Sequence, residues 1–116
     1  MDKEVLLERF KKWSLAVILM CRELPEGEEF RVIKSQIIKS STSSTANYSA
    51  SNRAKSRADM INKRKIVEEE LDESLVWLDM LKRLLDRSWS DQLILLEAEA
   101  NELLRIITGS IISLRR

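Results

Sequence analysis

The sequence predicts an all-α protein, an antiparallel up-down-up-down four-helix bundle. Three observations point that way. Gly is used twice and Pro once in 116 residues, so the breakers that hairpins and sandwiches need are scarce. Apolar residues recur three and four apart over long stretches, the rhythm of a helix with one buried stripe. Turn signals are few and short, which joins such helices into a bundle. At this length the chain is expected to form a single domain, residues 1–116, around one core.

Helix one is expected from about Asp2 to Glu23. Its seam is Leu6, Phe10, Trp13, Val17, Met20 and Leu24, spaced 4, 3, 4, 3 and 4. Asp2 and Glu4 in the first turn suit the positive end of the helix dipole. Pro25 and Gly27, in the turn Leu24-Pro25-Glu26-Gly27, end it.

Helix two starts near Glu28 with Phe30, Ile33 and Ile37 on its seam. The same rhythm then meets Ser40 or Ser41, Ser44 and finally Tyr48. Here pattern and propensity disagree. Six consecutive residues, Ser40 to Thr45, are Ser or Thr, and their hydroxyls compete for backbone groups. No Gly or Pro breaks the stretch, however, and a loop of that length in a compact domain is improbable. A helix reaching about Asn52, its small seam residues permitting close approach, is the expectation.

Helix three is placed from about Lys55 to Asp86, with Met60, Val67, Leu71, Ser74, Leu78, Leu81 and Leu85 on its seam. Leu75, Trp77 and Leu84 widen that seam. Ser88 or Ser90 is expected to cap the helix that follows. Helix four runs from about Asp91 to Leu114, with Leu93, Leu96, Ala100, Leu103, Ile107 and Ile111 on one face. Gly109 weakens its last turns by roughly 1 kcal/mol relative to Ala. Leu7, Leu19, Ile38, Trp77, Leu95 and Ile106 exceed what one core needs and are candidates for a second buried surface, hence for self-association.

The formal net charge of +1 hides a strong asymmetry. Residues 1–30 carry 5 basic and 7 acidic side chains, net −2; residues 31–66 carry 9 and 1, net +8; residues 67–116 carry 6 and 11, net −5. The basic middle holds Arg53, Lys55, Arg57, Lys63, Arg64 and Lys65, relieved by Asp59. Clustered cations of this sort contact phosphates without reading sequence. The competing explanation is a face ion-paired with acidic helices or with a neighbouring subunit. Tyr48 is the sole aromatic nearby, which is thin support for base stacking.

Other chemistry finds no foothold. With no histidine anywhere, histidine triads and the Glu-x-x-His pairs of di-iron bundles are excluded. One cysteine, Cys21, builds neither an internal disulfide nor a structural zinc site, and its apolar setting marks a packed thiol. Gly27 and Gly109 are isolated, so there is no glycine-rich phosphate loop. Glu68, Glu69, Glu70, Asp72 and Glu73 are crowded along the chain, but consecutive helical residues diverge. The expectation is a non-enzymatic protein without metal or cofactor. The longest apolar run, Leu15 to Cys21, is far short of the ~20 residues that span a bilayer, and no signal peptide is apparent, so no membrane association and a cytoplasmic location are expected.

The stretch from Gln36 to Leu81 resembles a bacterial four-helix-bundle family encoded in intervening sequences of large-subunit ribosomal RNA genes. The resemblance rests on Gln36, Ser40, Ser43, Ala46-Asn47-Tyr48, Arg53-Ala54, Ser56-Arg57-Ala58-Asp59, Lys63, Ile66, Glu70, Glu73 and Trp77-Leu78. Trp13 and the Leu24-Pro25 turn fit as well, so that residues 9 to 85 are covered. Members often carry a basic-acidic pair where this chain has Ser49-Ala50, and an aromatic residue at the position of Met60. The resemblance implies a bundle assembling into a ring, a homopentamer, and a helical conformation for Ser40 to Asn47. The chain is also similar to the accessory variability protein of diversity-generating retroelements, a basic pentameric barrel, which implies reverse transcriptase and RNA or DNA as partners. The alternative function is a scaffold that contacts only protein.

Overall fold

The computed structural model describes residues 1–116 as four α-helices and no strand. They are α1 (Lys3–Arg22), α2 (Glu28–Ser51), α3 (Arg57–Leu84) and α4 (Ser90–Leu114), with a 3-10 turn at Arg87–Trp89. The helices pack as a bundle 45 × 23 × 20 Å, in which α2 and α4 each lie against both α1 and α3. Residues that meet across each interface run in opposite numerical order. Phe10 and Ser14 of α1 meet Thr45 and Ser41 of α2, and Arg9 and Trp13 meet Glu99 and Leu96 of α4. Ser40 and Asn47 of α2 meet Ser74 and Glu70 of α3, while Glu68 and Lys82 of α3 meet Thr108 and Glu97 of α4.

A contiguous core of 20 residues fills the centre. It contains the whole expected seam of α1, and Leu93, Leu96, Ala100, Leu103, Ile107 and Ile111 of α4. Each large apolar side chain so enclosed contributes about 1.5–3 kcal/mol relative to exposure. Trp13 reaches across to α4, where its Nε1 donates to Leu96 O at 3.1 Å. Among buried side-chain polar atoms, only Trp77 Nε1 lacks a partner.

The serine stretch lies within one continuous helix. Its hydroxyls bond back to their own helix: Ser41 and Thr42 donate to Ile38 O, and Ser44 donates to Ser41 O. The competition that lowers serine's helix propensity is thereby settled inside the helix. Ser40, Ser41 and Ser44 are buried, and their small size lets α2 approach both neighbours. Ser14 Oγ of α1 donates to Ser41 O at 2.9 Å, and Ser40 and Ser74 share a hydrogen bond of 2.7 Å.

The helix ends differ from the sequence-based bounds chiefly at α3 and at the start of α4. α3 begins at Arg57 rather than Lys55, because Ser56 takes extended backbone and caps Asp59 N. It ends at Leu84, before Asp86. α4 begins after Trp89 without a side-chain cap; neither Ser88 nor Ser90 performs that role, because Asp86 instead accepts from Ser88 N and closes the 3-10 turn. At the other corner Gly27 has φ +150° and ψ 149°, backbone that favours glycine, and this sets the entry to α2.

The six residues expected to form a second apolar surface divide between the core edge and solvent. Leu7, Ile38, Trp77 and Ile106 pack against the core at its edge, since the buried stripe is wider than one residue per turn. Leu19 and Leu95 do face outward, at 56% and 71% exposure.

Candidate nucleic-acid interface

The basic block wraps the corner between α2 and α3. Asn52, Arg53 and Ala54 continue α2 as tight turns, their N–H groups donating to Ser49 O, Ala50 O and Ser51 O. Ser56 then starts α3 by capping Asp59 N, and Asp59 answers by accepting from Lys55 N at 3.1 Å. This is a relative of the capping box, with Asp in place of Glu. The corner therefore holds a fixed shape while leaving Arg53, Lys55 and Arg57 exposed.

The six cations separate into three groups. Arg53, Lys55, Arg57 and Lys65 are exposed and form no ion pair. Lys63 is half-buried and paired with Asp59 at 2.8 Å, one helical turn away. That ammonium first, then the Lys55 N–H, holds the Asp59 carboxyl below the ordinary aspartate range. Arg64 points inward and is only 6% exposed. It is a structural part of the corner rather than a member of the exposed row.

Arg64 lies over the Tyr48 ring, its Cζ 5.6 Å from the centroid, in the geometry of a cation–π contact. Tyr48 in turn stacks on Phe10, with ring centroids 4.9 Å apart. The guanidinium donates from Nε to Ser51 Oγ and from Nη2 to Asn52 Oδ1. These acceptors are neutral, so burial holds the Arg64 pKa below the ordinary arginine range. The same burial pushes the Tyr48 hydroxyl upward. Being stacked and buried, Tyr48 is not available to nucleic-acid bases.

Sequence reading missed cations brought in from the ends of the chain. Lys3 and Arg53 line one depression beside Asn52. Lys3 also shares a pocket with Tyr48, Arg64 and Ser113, which places the last turn of α4, followed by Arg115 and Arg116, at the same end of the bundle. Lys3, Arg115 and Arg116 likewise lack ion pairs. Only the fold unites residues this far apart, so linear charge counting had no means of grouping them. Asp2 and Glu4 sit here too, but Asp2 is engaged in capping Glu4 N and Val5 N.

The acidic run on α3 does not form a metal centre. Glu68 accepts from Thr108 Oγ1 and Glu70 from Asn47 Nδ2, and nowhere do three His, Cys, Asp or Glu side chains converge to hold an ion. No helix is long and apolar enough to cross a membrane.

Residues 5–109 match the family model described as 23S rRNA-intervening sequence protein. The chain belongs to this family. The match takes in all six cations of the α2–α3 corner and leaves Lys3, Arg115 and Arg116 outside it. Among solved structures, the chain is similar to a protein of unknown function from the S23 ribosomal protein family of Bacteroides thetaiotaomicron. The two share 26% identity with a TM-score of 0.84, over 96% of this chain and 98% of the other. No curated protein matches the chain. Membership of the 23S rRNA-intervening sequence protein family is thus accompanied by a close likeness in fold.

Proposed function

We propose that this protein is a non-enzymatic, oligomeric helical bundle that binds nucleic acid, RNA foremost, through the basic end of the bundle. The observation that carries the reading is the lack of ion pairs at Arg53, Lys55, Arg57 and Lys65. Cations matched to acidic helices of the same chain would have formed pairs; these stay hydrated and available for phosphates. The family's link to ribosomal RNA intervening sequences and the S23 ribosomal family of the structural neighbour support RNA as the partner. Arg64 supports the corner from within, and Lys63 contributes less than the exposed four because Asp59 already neutralises it.

The opposite numerical order of the paired residues supports an antiparallel up-down-up-down arrangement. Self-association, as a ring of five, rests on the family resemblance, and exposed apolar side chains support it. Leu15 and Leu19 on α1 and Ile94 and Leu95 on α4 are each more than half exposed. The Arg9–Glu99 and Trp13–Leu96 pairs set these two segments at similar heights along the bundle. The same residues favour the second reading, a protein-contacting scaffold, of which a reverse-transcriptase partner is one form that rests on the retroelement resemblance alone.

Filter binding tests the first reading. At ~50 mM salt, where phosphate contacts are strongest, the protein should retain RNA of unrelated sequences about equally, and Arg53→Gln/Lys55→Gln/Arg57→Gln should lose most of that retention. Absence of RNA binding by the unmodified protein removes it and leaves the scaffold. Sedimentation analysis tests assembly: a pentamer is expected, and a monomer at micromolar concentration refutes the ring.

A further inference from the structure

The pocket between α1, α2, α3 and α4 at the basic end differs from the exposed row around it. It has a volume of about 290 Å³ and is lined by Met1, Lys3, Leu6, Tyr48, Arg64 and Ile106, with Gly109, Ser110 and Ser113 of α4. Lys3 and Arg64 are its two basic side chains, and no carboxylate side chain lines it. Arg64 is more than nine-tenths buried, and its Nη1 makes no hydrogen bond within the chain. That atom is also not among the buried polar atoms lacking a partner, so it opens onto accessible space. A buried guanidinium without a counter-ion is costly to maintain. The cation–π contact and two neutral acceptors meet only part of its bonding capacity, since guanidinium has five donors.

We propose that this pocket binds the dianionic phosphate of a phosphomonoester, with Arg64 on its floor, Lys3 at its rim and the Ser113 hydroxyl as a further donor. Two cations match a doubly charged group, whereas a single carboxylate leaves one cation uncompensated. Guanidinium forks suit phosphate oxygens geometrically. Leu6 and Ile106 form an apolar wall for the carbon skeleton attached to the phosphate. The Ser110 hydroxyl is not a donor here, being committed to Ile107 O at 2.7 Å. The negative end of α4 also faces this region. Its last carbonyls are partly occupied, with Arg115 N on Ile111 O and Ile112 O and Arg116 N on Ser113 O. The site does not depend on the exposed row binding nucleic acid.

Thermal melting of the full chain, at matched ionic strength in chloride, tests the site with adenosine 5′-monophosphate, adenosine, inorganic phosphate and an RNA hexamer with or without a 5′-phosphate. At tenfold excess over its Kd, a bound phosphomonoester should raise the melting temperature by about 5 °C. Adenosine and the 5′-hydroxyl hexamer should give no such rise. A response to the nucleotide identifies a small phosphomonoester as ligand; one confined to the phosphorylated hexamer identifies a strand end. Lys3→Gln should weaken binding about tenfold, as loss of a charge-assisted hydrogen bond does.

Arg64→Gln alters a buried residue and is open to misfolding, so Gly109→Glu supplies an independent arm. A side chain at Gly109 meets nothing within 4 Å, and Glu is a better helix former than Gly, so this variant should fold while adding a carboxylate to the pocket wall. It should abolish the phosphate-dependent rise. Equal melting with and without the phosphate group, or an undiminished rise in Gly109→Glu, overturns the proposal. Failure of RNA filter binding with this rise intact would remove the exposed interface and leave the pocket standing.

Discussion

Ser44→Leu tests the close packing of α2. Ser44 has no solvent exposure and lies on the seam between Ile37 and Tyr48. The interhelical contacts on both sides of it are short: Thr45 Oγ1 reaches Phe10 O of α1 at 3.2 Å, and Ser40 reaches Ser74 of α3 at 2.7 Å. Leucine adds carbons where neither helix has room to withdraw without breaking such bonds. Overpacking of this type costs about 1–3 kcal/mol, which corresponds to a fall of roughly 4–12 °C in melting temperature for a chain of this size. The hydroxyl itself contributes little. Ser44 Oγ donates to Ser41 O, and that carbonyl still accepts from Ser14 Oγ when the bond is removed. Ser44→Ala should therefore stay within about 1 kcal/mol of the parent, with alanine's helix propensity offsetting the lost bond. Thermal or urea unfolding of both variants decides the matter. A neutral Ser44→Leu refutes the tight seam. An alanine variant as destabilised as the leucine one transfers the effect from volume to the hydroxyl.

Other outcomes follow from single residues. Gly109→Ala should stabilise the protein by about 0.5–1 kcal/mol in urea unfolding, since the added methyl group meets open space in a helix. Cys21 is buried, and desolvation pushes its thiol up to about 11. A thiol reagent at pH 8 should thus modify it only after denaturant is added, and prompt reaction in the native state would contradict this. Asp59, Asp86 and Glu102 all have carboxyls held below their ordinary values, chiefly by side-chain hydrogen bonds to Lys63, Ser88 and Arg105. A depressed folded-state pKa gives stability that is present above the unfolded value and lost as pH falls through the folded one. Melting temperature should hold above about pH 5 and drop below about pH 4, with a shallower drop in Asp59→Asn.

Much of the fold was legible because a 3/4 rhythm persists along the chain. It survives the serines of α2, where propensity alone argued for a loop, because those hydroxyls find acceptors one turn back in the same helix. The same rhythm contained a signal that charge counting obscured. On α3 the seam steps from Met60 to Val67, and the missing member at the intervening spacing is Arg64. An arginine on a seam, with Tyr48 one helix away, is a buried cation rather than a surface one. Boundaries were harder to read because side-chain caps compete. Asp86 takes Ser88 N into a 3-10 turn, and α4 starts uncapped as a result. The grouping of Lys3, Arg115 and Arg116 with the α2–α3 corner exists only once the helices are packed.

The salt dependence of RNA binding, measured beside a melting curve, tests the exposed basic end most directly. Log affinity of the parent protein should fall linearly with log salt, with a slope of about −0.7 to −0.9 per phosphate neutralised. Replacing Arg53, Lys55 and Arg57 with Gln should flatten that slope by about 2–3 and weaken binding to all sequences alike. The melting temperature should not change, because none of the three forms an ion pair. A slope identical to the parent's, or a triple variant that loses stability or its oligomeric state while RNA never binds, would contradict the account.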